Sequence, residues 1–188
     1  MRFDEYRRHD ATALAARIAK GEVSAKEVLE TAIARAEQVN PSINAIVHKQ
    51  YERARAAIAA GVPSGPLSGV PYLIKDLGFL ERGEPATFGS SLFKDFVADH
   101  DSAYVRRCRE AGLIIIGRSS SPEFGLNPNT EPRLYGPCRN PWHDPLVRER
   151  RTSIVHPAHA GRHLAACEVP RRRRPRRRRR PRRPRRRR

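Results

Sequence analysis

The stretch Gly65-Pro66-Leu67-Ser68-Gly69-Val70-Pro71-Tyr72-Leu73-Ile74-Lys75-Asp76-Leu77 is the most informative in the chain. Val70 to Ile74 is a short apolar run framed by Gly and Pro, which reads as a buried strand. Lys75 closes that run. A lysine carried into a core is desolvated, which disfavours its ammonium form and lets it serve as a base near neutral pH. The plainer alternative is a lysine paired with a neighbouring carboxylate such as Asp76, because structural ion pairs also perturb titration.

Working outward, Leu113 to Ile116 forms a second continuous apolar run. Helical patterns lie between and before the two runs. Ala11 to Lys20 reads as a helix with Asp10 as its N-cap and Gly21 as its stop. Ser24-Ala25-Lys26-Glu27 fits a capping box, followed by Val28, Leu29, Ala32, Ile33 and Ala36 at helical spacing. Asn40-Pro41 is expected to end that helix, and Ile43 to Val47 to form a short strand. Gln50 to Ala60 reads as a third helix, closed by Gly61 and Pro63. Ala86 to Ser91 reads as a Gly/Ser/Thr loop. Asp101 is expected to cap a helix from Ser102 to Glu110, and Ser121-Pro122-Glu123 to start another. Continuous apolar strands alternating with helices predict an α/β fold with both sheet faces covered. Thr130 to Trp142 is rich in turn residues.

The net charge of +18 is unevenly shared. Residues 1–143 hold 19 Lys/Arg against 17 Asp/Glu, whereas residues 144–188 hold 19 Arg against 3 acids. The first part is an ordinary globular sequence, and the basicity belongs to the tail. Residues 171–188 are Arg and Pro alone, a composition that repels itself and is expected to be disordered. Cys108, Cys138 and Cys167 are odd in number and far apart, so neither a disulfide framework nor a zinc site is indicated. No apolar run approaches the ~20 residues of a membrane helix. The N-terminus shows no signal-peptide pattern, so a cytoplasmic, membrane-free setting is expected.

At this point the motifs converge. Gly69-Val70-Pro71 with Ile74-Lys75-Asp76 resembles the lysine-bearing strand of the amidase signature family. Gly112-Leu113-Ile114-Ile115-Ile116-Gly117-Arg118 followed by Ser121-Pro122-Glu123-Phe124-Gly125 resembles that family's next strand and helix start. Thr130 to Trp142 resembles the segment leading to its active-site loop. Asp10-Ala11-Thr12 and Val39 to Ala45 sit where the family has similar runs. The branch that hydrolyses cyclic dimers of aminohexanoate is the nearest likeness. The resemblance covers residues 1–143 and implies the N-terminal part of an amidase domain, acting on a small-molecule amide. It also implies a serine nucleophile, a cis serine that relays its proton, and a lysine that receives it, a variant of the catalytic triad that needs no metal or other cofactor. Lys75 matches the family's lysine, and it is the one catalytic residue that carries over. Backbone N–H groups of a glycine-rich loop would stabilise the oxyanion.

After Asn140-Pro141-Trp142 the family carries a Gly/Ser-rich run of the form G-G-S-S-G-G. This chain instead reads His143-Asp144-Pro145-Leu146-Val147-Arg148. Ser153 is the only serine after Ser121, and it has no flanking glycine. His143, His156, His159 and His163 suggest a metal only superficially, since Pro157 and Gly161 interrupt any helix that would align them. Arginine codons of the CGN type, read one base out of step, become alanine, glycine or proline codons. A shifted reading frame near residue 143 is therefore the expectation for residues 144–188. As written, the chain is expected to lack amidase activity, and its first strands to keep open edges where the family's sheet would continue. The alternative function is non-specific binding of nucleic acid or another polyanion through residues 171–188. A third, a fragment that docks to an intact amidase, has only the open edges in its favour.

Overall fold

The computed structural model describes residues 1–62 and 64–140. The readings for Pro63, for the four histidines from His143 onward, for Ser153, Cys167 and for the whole of 144–188 lie outside them. Eight regular elements follow one another: α1 (Phe3–Tyr6), α2 (Ala11–Ala19), α3 (Ala25–Ile43), β1 (Ile46–Lys49), α4 (Tyr51–Ala59), β2 (Pro71–Lys75), α5 (Ala103–Glu110) and β3 (Ile114–Ser119). This is the α/β layer that the apolar runs predict.

The helix starts obey their local chemistry. The Asp10 carboxylate accepts from Ala13 N at 2.8 Å. Ser24 Oγ accepts from Glu27 N at 3.1 Å while Glu27 Oε2 accepts from Ser24 N at 2.9 Å, which completes the capping box. A cap of this kind contributes about 1 kcal/mol. Val28, Leu29, Ala32, Ile33 and Ala36 are all buried along α3.

Three boundaries differ from expectation. α3 does not end at Asn40-Pro41; it continues through both to Ile43 and closes on Asn44 in the left-handed region, with φ 52°. In the last turn a proline forfeits a single backbone bond. Asn40 offsets this with its side chain: its Oδ1 accepts from Ala45 N at 2.9 Å and Ile46 N at 2.7 Å, and its Nδ2 donates to Ile46 O at 2.9 Å. The first strand is displaced in consequence to Ile46–Lys49. α5 is capped by Ser102 rather than Asp101; Asp101 accepts instead from Arg82 N at 2.8 Å and pairs with Arg109 at 3.2 Å. Finally, Ser121-Pro122-Glu123 opens only a single 3-10 turn, Glu123–Gly125, which Phe124 interrupts with φ 50°.

The sheet is mixed, in the order β1-β3-β2, with β1 antiparallel and β2 parallel to the central β3. Ile114 and Ile116 pack with Leu29, Ile33 and Ala54 from α3 and α4. Ile115 points the other way and packs with Ile74 and Val105 of α5. Strand alternation thus lets β3 serve two cores. The β2 ladder slips register beside Gly117, and the β1 ladder slips one residue further on, between Arg118 and Ser119. A Cβ on Gly117 would lie 2.4 Å from His48 O, so the close approach of β1 requires glycine.

Charged side chains tie the segment after β2 to the helices. Glu81 is 1% exposed and accepts from Gln50 Nε2 at 3.0 Å and Arg109 Nη2 at 2.7 Å. Glu84 lies 2.7 Å from His48 Nε2 and 2.6 Å from Arg53 Nη1. Burial alone would raise the Glu84 carboxyl, but the hydrogen bonds from His48 and Arg53 outweigh it and hold the carboxyl below the usual range. A carboxyl depressed by folding contributes stability above its unfolded value and loses it as pH falls through the folded value. The urea midpoint should therefore be steady in this contribution above about pH 5 and decline below about pH 4. Glu84→Gln should weaken that decline; identical acid limbs in the two proteins would contradict the assignment.

Candidate active site

β2 and β3 end in step. Their last residues, Lys75 and Ser119, are register partners, and the next backbone bond runs from Asp76 N to Ser119 O at 3.0 Å. Ligands of open α/β sheets bind beyond the carboxyl ends of the strands, and Lys75 stands at that end. Its side chain is half-buried. Among the described residues no carboxylate pairs with it. The ion pair with Asp76 that the sequence left open does not form, because successive strand residues face opposite sides.

Asp76 is 1% exposed and has a different task. Its Oδ1 accepts from Thr87 N at 2.9 Å, and its Oδ2 from Thr87 Oγ1 at 2.5 Å and Gly89 N at 3.1 Å. A buried carboxylate is tolerated when donors satisfy it in this way. Thr87 Oγ1 also meets Tyr135 OH at 3.0 Å. One carboxylate therefore joins the end of β2 to the 87–89 loop and, through Thr87, to the segment leading to residue 140. Burial raises the Tyr135 phenol above its ordinary value, helped by the Asp76 charge and opposed by the Thr87 hydrogen bond and Arg118.

Arg118, on β3, is 1% exposed. Its Nη1 donates to Phe79 O at 2.7 Å. Burial pulls its guanidinium below the ordinary value, while Asp76, Glu81 and Glu84 favour the charged form. The cation thus lies within a field of three carboxylates that also shape the chain after β2.

Two loops that follow the strands are joined beside this end. Phe124 N donates to Phe88 O at 2.9 Å and Ser90 Oγ to Glu123 Oε1 at 2.5 Å. Phe88 and Phe124 have φ of 55° and 50°, strained values for bulky residues that persist only where the surroundings impose them. Phe93 lies edge-on to Phe88, Phe96 and Phe124, at centroid distances of 5.4, 6.0 and 5.9 Å. Phe96 and Phe124 carry this cluster to the surface, and Leu92, Val97 and Leu126, close to its members in sequence, are exposed.

The sequence indicated Lys75 but not Asp76, Thr87, Arg118 or the aromatic cluster. The loop at 86–91 was visible from its Gly/Ser/Thr content; its attachment to Asp76 is a tertiary contact with no local signature. Cys108 and Cys138 are both buried and free. Burial pushes the Cys138 thiol up to about 11 and also raises Cys108. Such thiols are poor nucleophiles, and neither is part of the site. No group of three or more metal-ligating side chains occurs among the described residues, and none of their helices is long and apolar enough to cross a membrane.

Comparison with known proteins supplies a family. The Amidase family model matches residues 27–147. The 6-aminohexanoate-cyclic-dimer hydrolase of Paenarthrobacter ureafaciens is 42% identical over 135 residues, which make up 71% of this chain and 27% of that protein. An acylamidase of Rhodococcus erythropolis is 42% identical over 139 residues, covering 70% of this chain and 29% of its own. A solved structure of 6-aminohexanoate cyclic dimer hydrolase complexed with substrate superposes with a TM-score of 0.68 at 42% identity, over 72% of this chain and 28% of that one. The chain therefore spans little more than a quarter of the length of these relatives. With the family model over most of its length and its strands and helices in the arrangement of a solved member, the chain belongs to the amidase family.

Proposed function

We propose that this chain is the N-terminal part of an amide hydrolase that acts on a small-molecule amide, with Lys75 as the base. One observation carries the reading: Lys75 closes β2 at the carboxyl end of the sheet, half-buried and without a carboxylate partner among the described residues. A base must be near the reacting hydroxyl and free of competing ion pairs. In the reaction, the nucleophilic serine would pass its proton through the cis serine to Lys75. Lys75 would later return the proton to the leaving amine, and water would release the acyl group.

This chain supplies the lysine alone. Ser153, the single serine after Ser121, has no glycine beside it. We read residues 144–188 as the product of a shifted frame, because CGN arginine codons displaced by one base encode the Gly, Ala and Pro expected there. The chain as written is then inactive. The free thiols of Cys108 and Cys138 support a reducing, cytoplasmic setting.

The test begins with the coding DNA: a Gly-Ser-Ser-Gly run should appear in one of the other two frames beyond codon 143. A chain restored to that frame should hydrolyse amides, and Lys75→Ala should lower kcat about a thousandfold. Equal activity in the two would refute the base assignment.

The second reading rests on composition. Fifteen of the eighteen residues in 171–188 are Arg, and such a run attracts phosphate backbones without reading bases. Duplex DNA should bind with an affinity that falls steeply with salt, at a slope of about −0.9 per phosphate neutralised. Deleting 171–188 should abolish that binding; retention would place it elsewhere on the chain.

A further inference from the structure

Arg118 is the one buried arginine among the described residues. A guanidinium is a set of N–H donors with no acceptor, and only part of this set is used. Nη1 donates to Phe79 O at 2.7 Å. Nε and Nη2, which share the other edge of the guanidinium, have no hydrogen-bond partner. That edge ordinarily grips a carboxylate through two parallel bonds. Burial works against the Arg118 cation, while the charges of Asp76, Glu81 and Glu84 favour it. None of the three forms an ion pair with it. Glu81 and Glu84 pair instead with Arg109, Arg53 and His48, and Asp76 with Thr87 and Gly89.

A complementary atom lies on Gln50, which is 4% exposed. Its Nε2 donates to Glu81 Oε2 at 3.0 Å, but its Oε1 accepts no hydrogen bond. The backbone brings the two residues to one place. Gln50 N donates to Ile116 O at 3.0 Å, two residues before Arg118 on β3. His48, two residues before Gln50, is the register partner of Arg118. Glu81 faces both side chains, Gln50 through its hydrogen bond and Arg118 through its charge. Each Glu81 oxygen accepts one hydrogen bond, from Gln50 or from Arg109, so each keeps a lone pair.

Buried donors and acceptors left unpaired are costly. Opposite charges that act on each other without touching leave room for a bridging molecule. The bridge here has to accept from two N–H groups and donate to oxygens. An anion would meet the donors but face three carboxylates, and a cation would meet the oxygens but face the guanidinium. Water accepts and donates through a single atom. We propose that Arg118, Gln50 and Glu81 enclose a binding site for one internal water, which accepts from Arg118 Nε and Nη2 and donates to Gln50 Oε1 and a Glu81 oxygen. The water has a full complement of hydrogen bonds, as buried waters do. It ties β3, the junction of β1 with α4, and the segment after β2 into one polar network. The inference is independent of the role of Lys75.

The test is nuclear magnetic resonance of the full chain labelled with nitrogen-15, read at the Arg118 Nε–H and at the Gln50 side-chain amide. The relative sign of laboratory-frame and rotating-frame transfer from water separates a water held by the protein from exchange with bulk solvent. Both groups should show a held water in the native chain. Gln50→Met, which removes Oε1 at similar side-chain length, should lose the Arg118 signal. The two native signals decide the matter even where that variant does not fold. No transfer from water at Arg118 Nε–H, transfer of the exchange sign there, absence of the water at Gln50, or an unchanged Arg118 signal in a folded Gln50→Met chain would each overturn the proposal.

Discussion

The Asp76 carboxylate is the constraint on which the site depends. It is buried where water cannot solvate it, and an uncompensated charge there would cost several kcal/mol. Three donors from Thr87 and Gly89 compensate it. Because those donors belong to the loop after β2, satisfying the charge also fixes the loop. Thr87 extends the connection to Tyr135, and Gly89 brings the loop so close to β3's exit that an added Cβ would lie 2.6 Å from Ser121 O. Strand alternation sends Asp76 inward, away from the side that Lys75 faces. Neighbouring residues in sequence thus meet different surroundings, Asp76 buried and Lys75 half-buried.

A second tier of charge supports this arrangement from below. Glu81 and Glu84 join the chain beyond β2 to β1, α4 and α5 through Gln50, His48, Arg53 and Arg109. Arg118 is buried among Asp76, Glu81 and Glu84 and holds Phe79 O. Glu81 is the buried member of its pair with the more exposed Arg109, so losing its donors would leave a buried carboxylate uncompensated. These contacts brace the stretch from Leu77 to Glu84 against the carboxyl end of the sheet.

Much of the fold was legible because its signals are local. The Ser24–Glu27 box, the apolar spacing along α3 and the two apolar strands each follow from residues close in sequence. The misplacements have the opposite character. Pro41 reads as a stop, but Asn40 reaches forward to Ala45 and Ile46 and carries the helix past it. Asp101 reads as a cap, but Arg82 and Arg109 claim it and Ser102 takes its place. Of the candidate site, Lys75 was singled out because a lysine ending an apolar strand is unusual by itself. Asp76, Thr87 and Arg118 were not, because their meaning lies in contacts across 11 to 48 residues of chain that no local pattern records.

Asp76 ties the 87–89 loop to the end of β2. Backbone amide exchange at Thr87 and Gly89, compared between the native chain and Asp76→Asn, measures this directly. Both amides should lose at least tenfold in protection while those of α3 keep theirs. Unchanged protection at Thr87 and Gly89 would contradict it.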